Sequence, residues 1–263
     1  MDLGLHGRVA MVAASSQGLG KAVALGLARE GAKLALCART EKTLTEAAEE
    51  IYRATGADVL TRALDVTNYE QVRTFVRETV NEFGRLDICV ANAGGPPSKP
   101  FADTTVEEWH RASELNFMST VYFAKEVLPV MKERRWGRFI AITSMTVKQP
   151  VDGLILSNAV RAGVSGLGKS LANEYGPYNV LVNNVCPGYT ATARLMELAE
   201  KLAGREGITP QEIESRWSAQ TPLGRVGRPE EFADVVVYLA SERASYVTGV
   251  SIQVDGGIVK GLY

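Results

Sequence analysis

The run Ala13-Ala14-Ser15-Ser16-Gln17-Gly18-Leu19-Gly20 is the first stretch of the chain built for chemistry. It joins a short apolar run to a segment with helical spacing. Glycines in such a turn let backbone N–H groups approach a phosphate, and the helix start that follows favours negative charge. The chemistry is dinucleotide binding, with Ser15, Ser16, Gln17, Gly18, Leu19 and Gly20 as the cradle. The tip of the second apolar run reads Leu36-Cys37-Ala38-Arg39. An acidic side chain there would hold a ribose 2′-hydroxyl, whereas an arginine accommodates a 2′-phosphate. No Asp or Glu occupies that tip, so the sequence favours NADP(H), with NADPH preferred over NADH.

Other chemistries are poorly supplied. His6 precedes the first apolar run and His110 lies in a helical stretch, so a Ser-His-Asp hydrolase is hard to assemble. Cys37, Cys89 and Cys186 each sit inside an apolar run, an odd number with no Cys-x-x-Cys pair. They read as buried reduced thiols, and no metal site is expected.

The elements that position the turn follow in a regular order. Apolar runs predict strands at 8–14, 33–38, 59–64, 86–91, 138–143, 180–185 and 250–254. Helical spacing predicts helices at 20–30, 41–55, about 67–83, about 105–134, about 157–174 and 229–241. Thr67-x-x-Glu70, Thr105-x-x-Glu108 and Thr209-Pro210-x-Glu212 have the spacing of helix starts. Strands this apolar are buried on both faces, as in a parallel sheet covered by helices. The expectation is an α/β chain: a single doubly wound Rossmann-like domain over 1–263, with about seven parallel strands. The more polar segment 194–222 breaks the alternation and reads as a helical insertion on the substrate side.

The chain has 263 residues, 46% of them hydrophobic and 22% charged, and a net charge of −1. No positive field exists to collect phosphates along a polymer, so no nucleic-acid partner is expected. The apolar runs are too short for a membrane span, and the first eight residues lack an apolar core. A cytoplasmic setting is the default.

Taken in register, these features resemble the short-chain dehydrogenase/reductase family, in its 3-oxoacyl-(acyl-carrier-protein) reductase-like branch, over essentially the whole length. Ala13-Ala14-x-x-x-Gly18-x-Gly20 is similar to the family's glycine-rich turn. The resemblance implies that Asp65, with Val66 beside it, contacts adenine and that Asn92-Ala93-Gly94 lines the cofactor. It implies a mid-helix catalytic Asn116 and a catalytic Ser144. It implies that Pro187, Gly188, Thr190 and Thr192 hold the nicotinamide amide. Val254-Asp255-Gly256-Gly257 resembles the terminal signature near the family's subunit contact, implying a homotetramer or homodimer.

The same register exposes departures. The family's proton donor is the Tyr of Tyr-x-x-x-Lys, thirteen residues past the Ser; here that position is Ser157, and the Lys position is Arg161. A phenol with a pKa of about 10 can be brought towards neutrality by a neighbouring ammonium; a serine hydroxyl cannot. An arginine keeps the charge and could grip the ribose, but does not shuttle protons. Ala14 and Ala91 replace family residues too, and Ala14 is crowded if its φ is positive.

The expected function is a reductase acting on a small-molecule carbonyl or alcohol by an atypical proton route. Asn116, Ser144, Ser157 and Arg161 are its catalytic set, with Lys148 as a substitute donor. The alternative is an NADP(H)-binding protein without redox turnover. Leu195, Met196, Leu198, Leu202 and Trp217 in the insertion suit an apolar substrate and a packed core equally well.

Overall fold

A computed structural model describes residues 1–262, leaving Tyr263, the last residue of the expected domain, outside the described residues. All seven strands pair in parallel in the order β3-β2-β1-β4-β5-β6-β7. They are β1 (Val9–Ala13), β2 (Lys33–Ala38), β3 (Val59–Ala63), β4 (Ile88–Ala91), β5 (Gly137–Ile142), β6 (Val180–Pro187) and β7 (Ser251–Val254). The expected single Rossmann-like domain is therefore the fold observed.

Alternation along each strand splits the core between two faces. Val12, Leu34, Leu36 and Ile140 pack under helices α1 (Gly18–Arg29) and α9 (Pro229–Ala240), which supply Val23, Leu27, Phe232 and Val236. Met11, Ala35, Cys89 and Phe139 pack on the opposite side, under α3 (Tyr69–Phe83) and α5 (Ser119–Glu133). Helices α2 (Glu41–Thr55), α4 (Val106–Ser113) and α6 (Ile155–Tyr175) complete the two layers. The edge strand β3 is only half-buried, which is why Thr61 and Arg62 are tolerated there.

Local chemistry decides the element ends. Thr105 and Glu108 form the expected reciprocal cap on α4, and Thr209 and Glu212 do so on α8 (Pro210–Gln220). The expected box at Thr67 and Glu70 does not form. Asn68 caps α3 instead, accepting from the Gln71 amide, while Thr67 bonds back to Asp65. The long helix expected at 105–134 is broken by a π-turn at Glu114–Met118, and α6 starts two residues before the expected 157. All three cysteines are buried free thiols, and burial pushes Cys37 up to about 12.

The strand expected at 8–14 stops one residue early because Ala14 adopts φ 49°. This left-handed turn lets the chain double back onto α1. A Cβ on Gly20 would stand 2.3 Å from the Ala14 carbonyl oxygen, so only glycine fits there. The left-handed region costs a non-glycine residue roughly 1–2 kcal/mol, partly offset for glycine by its looser unfolded chain. Ala14→Gly should therefore raise the melting temperature by about 2 °C. Differential scanning calorimetry checks this, and a lowered melting temperature would contradict the strain.

Candidate functional site

Strands β1 and β4 are neighbours, but their following helices leave towards opposite faces of the sheet. A crevice must open at their C-terminal ends, where such sheets bind ligands. A cleft of about 660 Å³ lies there. Its lining includes Arg39, Arg161 and Arg194 but no Asp, Glu or His. Neither histidine can supply a hydrolase base: His6 packs against Gly31, and His110 lies in the last turn of α4.

At one end, Ser16, Gln17, Gly18 and Leu19 face the cleft. Gln17 starts α1 without a side-chain cap, and no acidic residue occupies the first turn. The first amides and the positive end of the helix are thus left for an external anion. Ser15 is fully buried instead, with its amide and hydroxyl both bonded to the Cys37 carbonyl. Asn92 donates to the Ala13 carbonyl at 3.3 Å and so braces the turn from β4. Gly20 packs inward and does not line the cleft. Arg39, Thr40 and Thr43 form the neighbouring rim, with Leu64 and Val66 beneath. Asp65 is exposed and stays off the lining; its carboxylate accepts from Thr67.

The loop after β6 closes the facing side with Pro187, Gly188, Thr190 and Thr192. A Cβ on Gly188 would meet the Asp255 Cα at 2.6 Å, and the Gly188 amide donates to the Val254 carbonyl. Asp255 in turn accepts from the Gly257 and Val259 amides. The terminal Val-Asp-Gly-Gly segment therefore acts as the brace of this loop. Thr192 caps α7 (Ala193–Glu206) by accepting from the Leu195 amide.

Ser144 and Ser157 face the middle of the cleft. Their link is Thr146, which the sequence reading missed. Its amide donates to Ser144 Oγ at 3.2 Å, and its hydroxyl lies 3.1 Å from Ser157 Oγ. Behind them Arg161 is almost fully buried, without an ion-pair partner among the described residues. Its Nη1 donates to the Ile142 and Thr143 carbonyls, and its Nη2 donates to the Gly94 carbonyl at 3.4 Å. Burial lowers its pKa to about 10, and Arg194 nearby pushes the same way. It remains charged at neutral pH. Asn116, in the π-turn, also donates to the Gly94 carbonyl, at 2.7 Å, and stands behind the cleft wall. Its Oδ1 is buried without a partner. Among the described residues the only tyrosine on the lining, Tyr189, is stacked on Trp217, and burial raises its pKa, so it is a poor proton donor.

The arrangement thus joins an anion cradle to a pair of hydroxyls set over a buried cation. Arg194 is the main cleft residue that sequence reasoning passed over. Its only signal was its place in the first turn of α7, two residues after Thr192.

Known proteins share this arrangement of elements. The family described as Enoyl-(Acyl carrier protein) reductase matches residues 13–259. The 3-oxoacyl-[acyl-carrier-protein] reductase FabG of Aquifex aeolicus is 34% identical over 258 residues, covering 98% of this chain and all of that protein. L-sorbose reductase from Gluconobacter frateurii, solved with NADPH and L-sorbose, has a TM-score of 0.95 at 35% identity, with 100% of both chains covered. YwfH, an NADPH-dependent reductase involved in bacilysin biosynthesis, has a TM-score of 0.92 at 28% identity, covering 97% of this chain and 99% of its own.

Replacing Arg161 removes a buried cation but strands the carbonyls it serves, and each unpaired buried acceptor costs about 1–3 kcal/mol. Arg161→Leu should lower the unfolding free energy by about 2–4 kcal/mol in urea titrations. Unchanged or raised stability would show that the carbonyls do not need the guanidinium.

Proposed function

The chain belongs to the short-chain dehydrogenase/reductase family, and from that premise we propose an NADP(H)-dependent oxidoreductase that interconverts a small-molecule carbonyl and its alcohol without the family's phenol–amine pair. The observation that carries the reading is the cleft itself. It has uncapped helix amides at one end, Arg39 at the rim, two serine hydroxyls over a buried cation, and no Asp or Glu among the described residues of its lining. A dinucleotide with a 2′-phosphate fits that charge pattern.

The α1 amides would hold the pyrophosphate, and Arg39 with Thr40 and Thr43 the 2′-phosphate. Gly94, Pro187 and Thr190 would border the nicotinamide. When bound, the cofactor supplies or takes a hydride. Ser144 and Ser157 then donate hydrogen bonds to the reacting oxygen. Arg161 places its charge behind them and stabilises the negative charge that develops on that oxygen. Its own hydrogen bonds go to the strand ends, so its contribution is electrostatic, and gripping a ribose is secondary. The proton comes from solvent along a water chain anchored at the orphaned Oδ1 of Asn116, an acceptor that needs a partner. Proton donation by a tuned side chain contributes roughly 10²–10⁴ in rate, so turnover here is slow but not absent. Association through α5 and α6, as a dimer or tetramer, is consistent with this reading.

NADPH oxidation against a panel of ketones tests the proposal. NADPH should bind at least tenfold tighter than NADH, and Arg39→Ala should erase most of that difference, because a charge-assisted pair is worth about 1.5–3 kcal/mol. Tight NADPH binding with no oxidation for any ketone would favour the alternative, a binding protein without turnover. No binding would remove both readings.

A further inference from the structure

Past the serine pair, the cleft continues into a second recess of about 370 Å³, between the segment after β4 and one face of α7. Arg194, Leu198, Lys201, Leu202 and Arg205 recur at helical spacing and present one stripe of α7 to it. Lys99 faces them from the opposite wall. No Asp or Glu lines the recess.

The charges there are only half compensated. Lys99 is bonded to Glu108 at 2.7 Å, and Arg194 lies 3.6 Å from Glu197 while donating to the Pro96 carbonyl. Lys201 and Arg205 have no carboxylate at ion-pair distance among the described residues. A solvated helix face usually mixes signs, because like charges one turn apart repel. On α7 the signs are segregated: Glu197 and Glu200 are off the stripe, and Glu206 pairs with Arg216 of α8.

Both walls are held in place. Ala199 and Ala203 on the back of α7 pack with Ile213 and Trp217 of α8 in a small core of their own. Across the recess, Ser98 Oγ donates to the Gly153 carbonyl and Lys99 bridges to Leu154. The recess shares Gly95, Ser98, Arg194 and Leu198 with the main cleft. One ligand can therefore reach from the hydroxyls of Ser144 and Ser157 into the cationic end, passing the leucines on its way.

We propose that this recess is an anion subsite and that the natural substrate is an oxo or hydroxy compound carrying a carboxylate or phosphate away from the reacting carbon. This rests on the reductase reading for its chemistry, but not for its binding. Lys201 and Arg205 line the recess and not the main cleft, so they separate substrate recognition from cofactor binding.

The test uses the full chain and the double variant Lys201→Gln/Arg205→Gln. Two probe pairs are compared: 4-oxopentanoate against its methyl ester, and dihydroxyacetone phosphate against dihydroxyacetone. The unmodified protein should favour the anion of at least one pair by tenfold or more in kcat/KM, through KM. The pair that responds identifies the carboxylate or the phosphate. The double variant should bring that ratio close to one and leave NADPH affinity unchanged. A ratio near one in the unmodified protein, or an unchanged ratio in the variant, would overturn the subsite. If no probe is reduced, the reductase reading fails by itself. Calorimetric titration of both anions into the NADPH-saturated protein then decides the subsite: binding heat lost in the double variant supports it, and no heat from either anion overturns it.

Discussion

A guanidinium buried without a carboxylate holds the centre of this molecule together. Taking a charge out of water is costly, and Arg161 offsets that cost only with hydrogen bonds to carbonyls at the end of β5 and in the segment after β4. The Gly94 carbonyl receives both Arg161 and Asn116, so one oxygen links α6, the π-turn and the segment after β4. The serines stand in front of this knot and inherit its rigidity. The same constraint limits the chemistry. A cation that remains protonated until about pH 10 can stabilise charge but cannot pass a proton along.

The rest of the fold supplies the field around that centre. The order of the parallel strands opens the crevice between β1 and β4, and the left-handed Ala14 lets α1 present its free amides there. The C-terminal segment then stiffens the loop after β6 through Gly188 and Asp255. Cations stand at the rim, behind the middle and at the far end of a cleft lined by no Asp or Glu among the described residues. Such a cavity attracts anions along its whole length.

Much of this was legible in the residues because burial on two faces leaves strands almost wholly apolar. The seven runs, the glycine turn and the crowding of Ala14 follow from that pattern and from sterics. The π-turn at Glu114–Met118 was not legible, since apolar spacing continues through it and only the backbone changes its step. Asn68 displaced Thr67 as a cap because two neighbouring side chains compete for one helix start and Thr67 is engaged by Asp65. Thr146 carries no motif; its part arises from a short turn after β5 that points its hydroxyl at Ser157. Ser15, Gly20 and Asn116 were expected around the ligand and stand behind the cleft lining, while Asp65 lies exposed beside it and is engaged by Thr67. One-dimensional spacing places a residue near a site; whether it faces the cavity or braces its wall depends on the packing behind it.

In the proposed mechanism hydride moves here with charge stabilisation and water, not with a titrating side chain. Single-turnover transfer of deuterium from 4-deuterated NADPH to a ketone, followed from pH 6 to pH 9, decides this. Measurable transfer at a rate that stays flat across this range is expected. In Ser157→Tyr/Arg161→Lys the transfer should be about tenfold or more faster and should acquire a titration, as a phenol beside an ammonium would impose. A steep pH dependence in the unmodified protein, or no transfer at any pH, would contradict it.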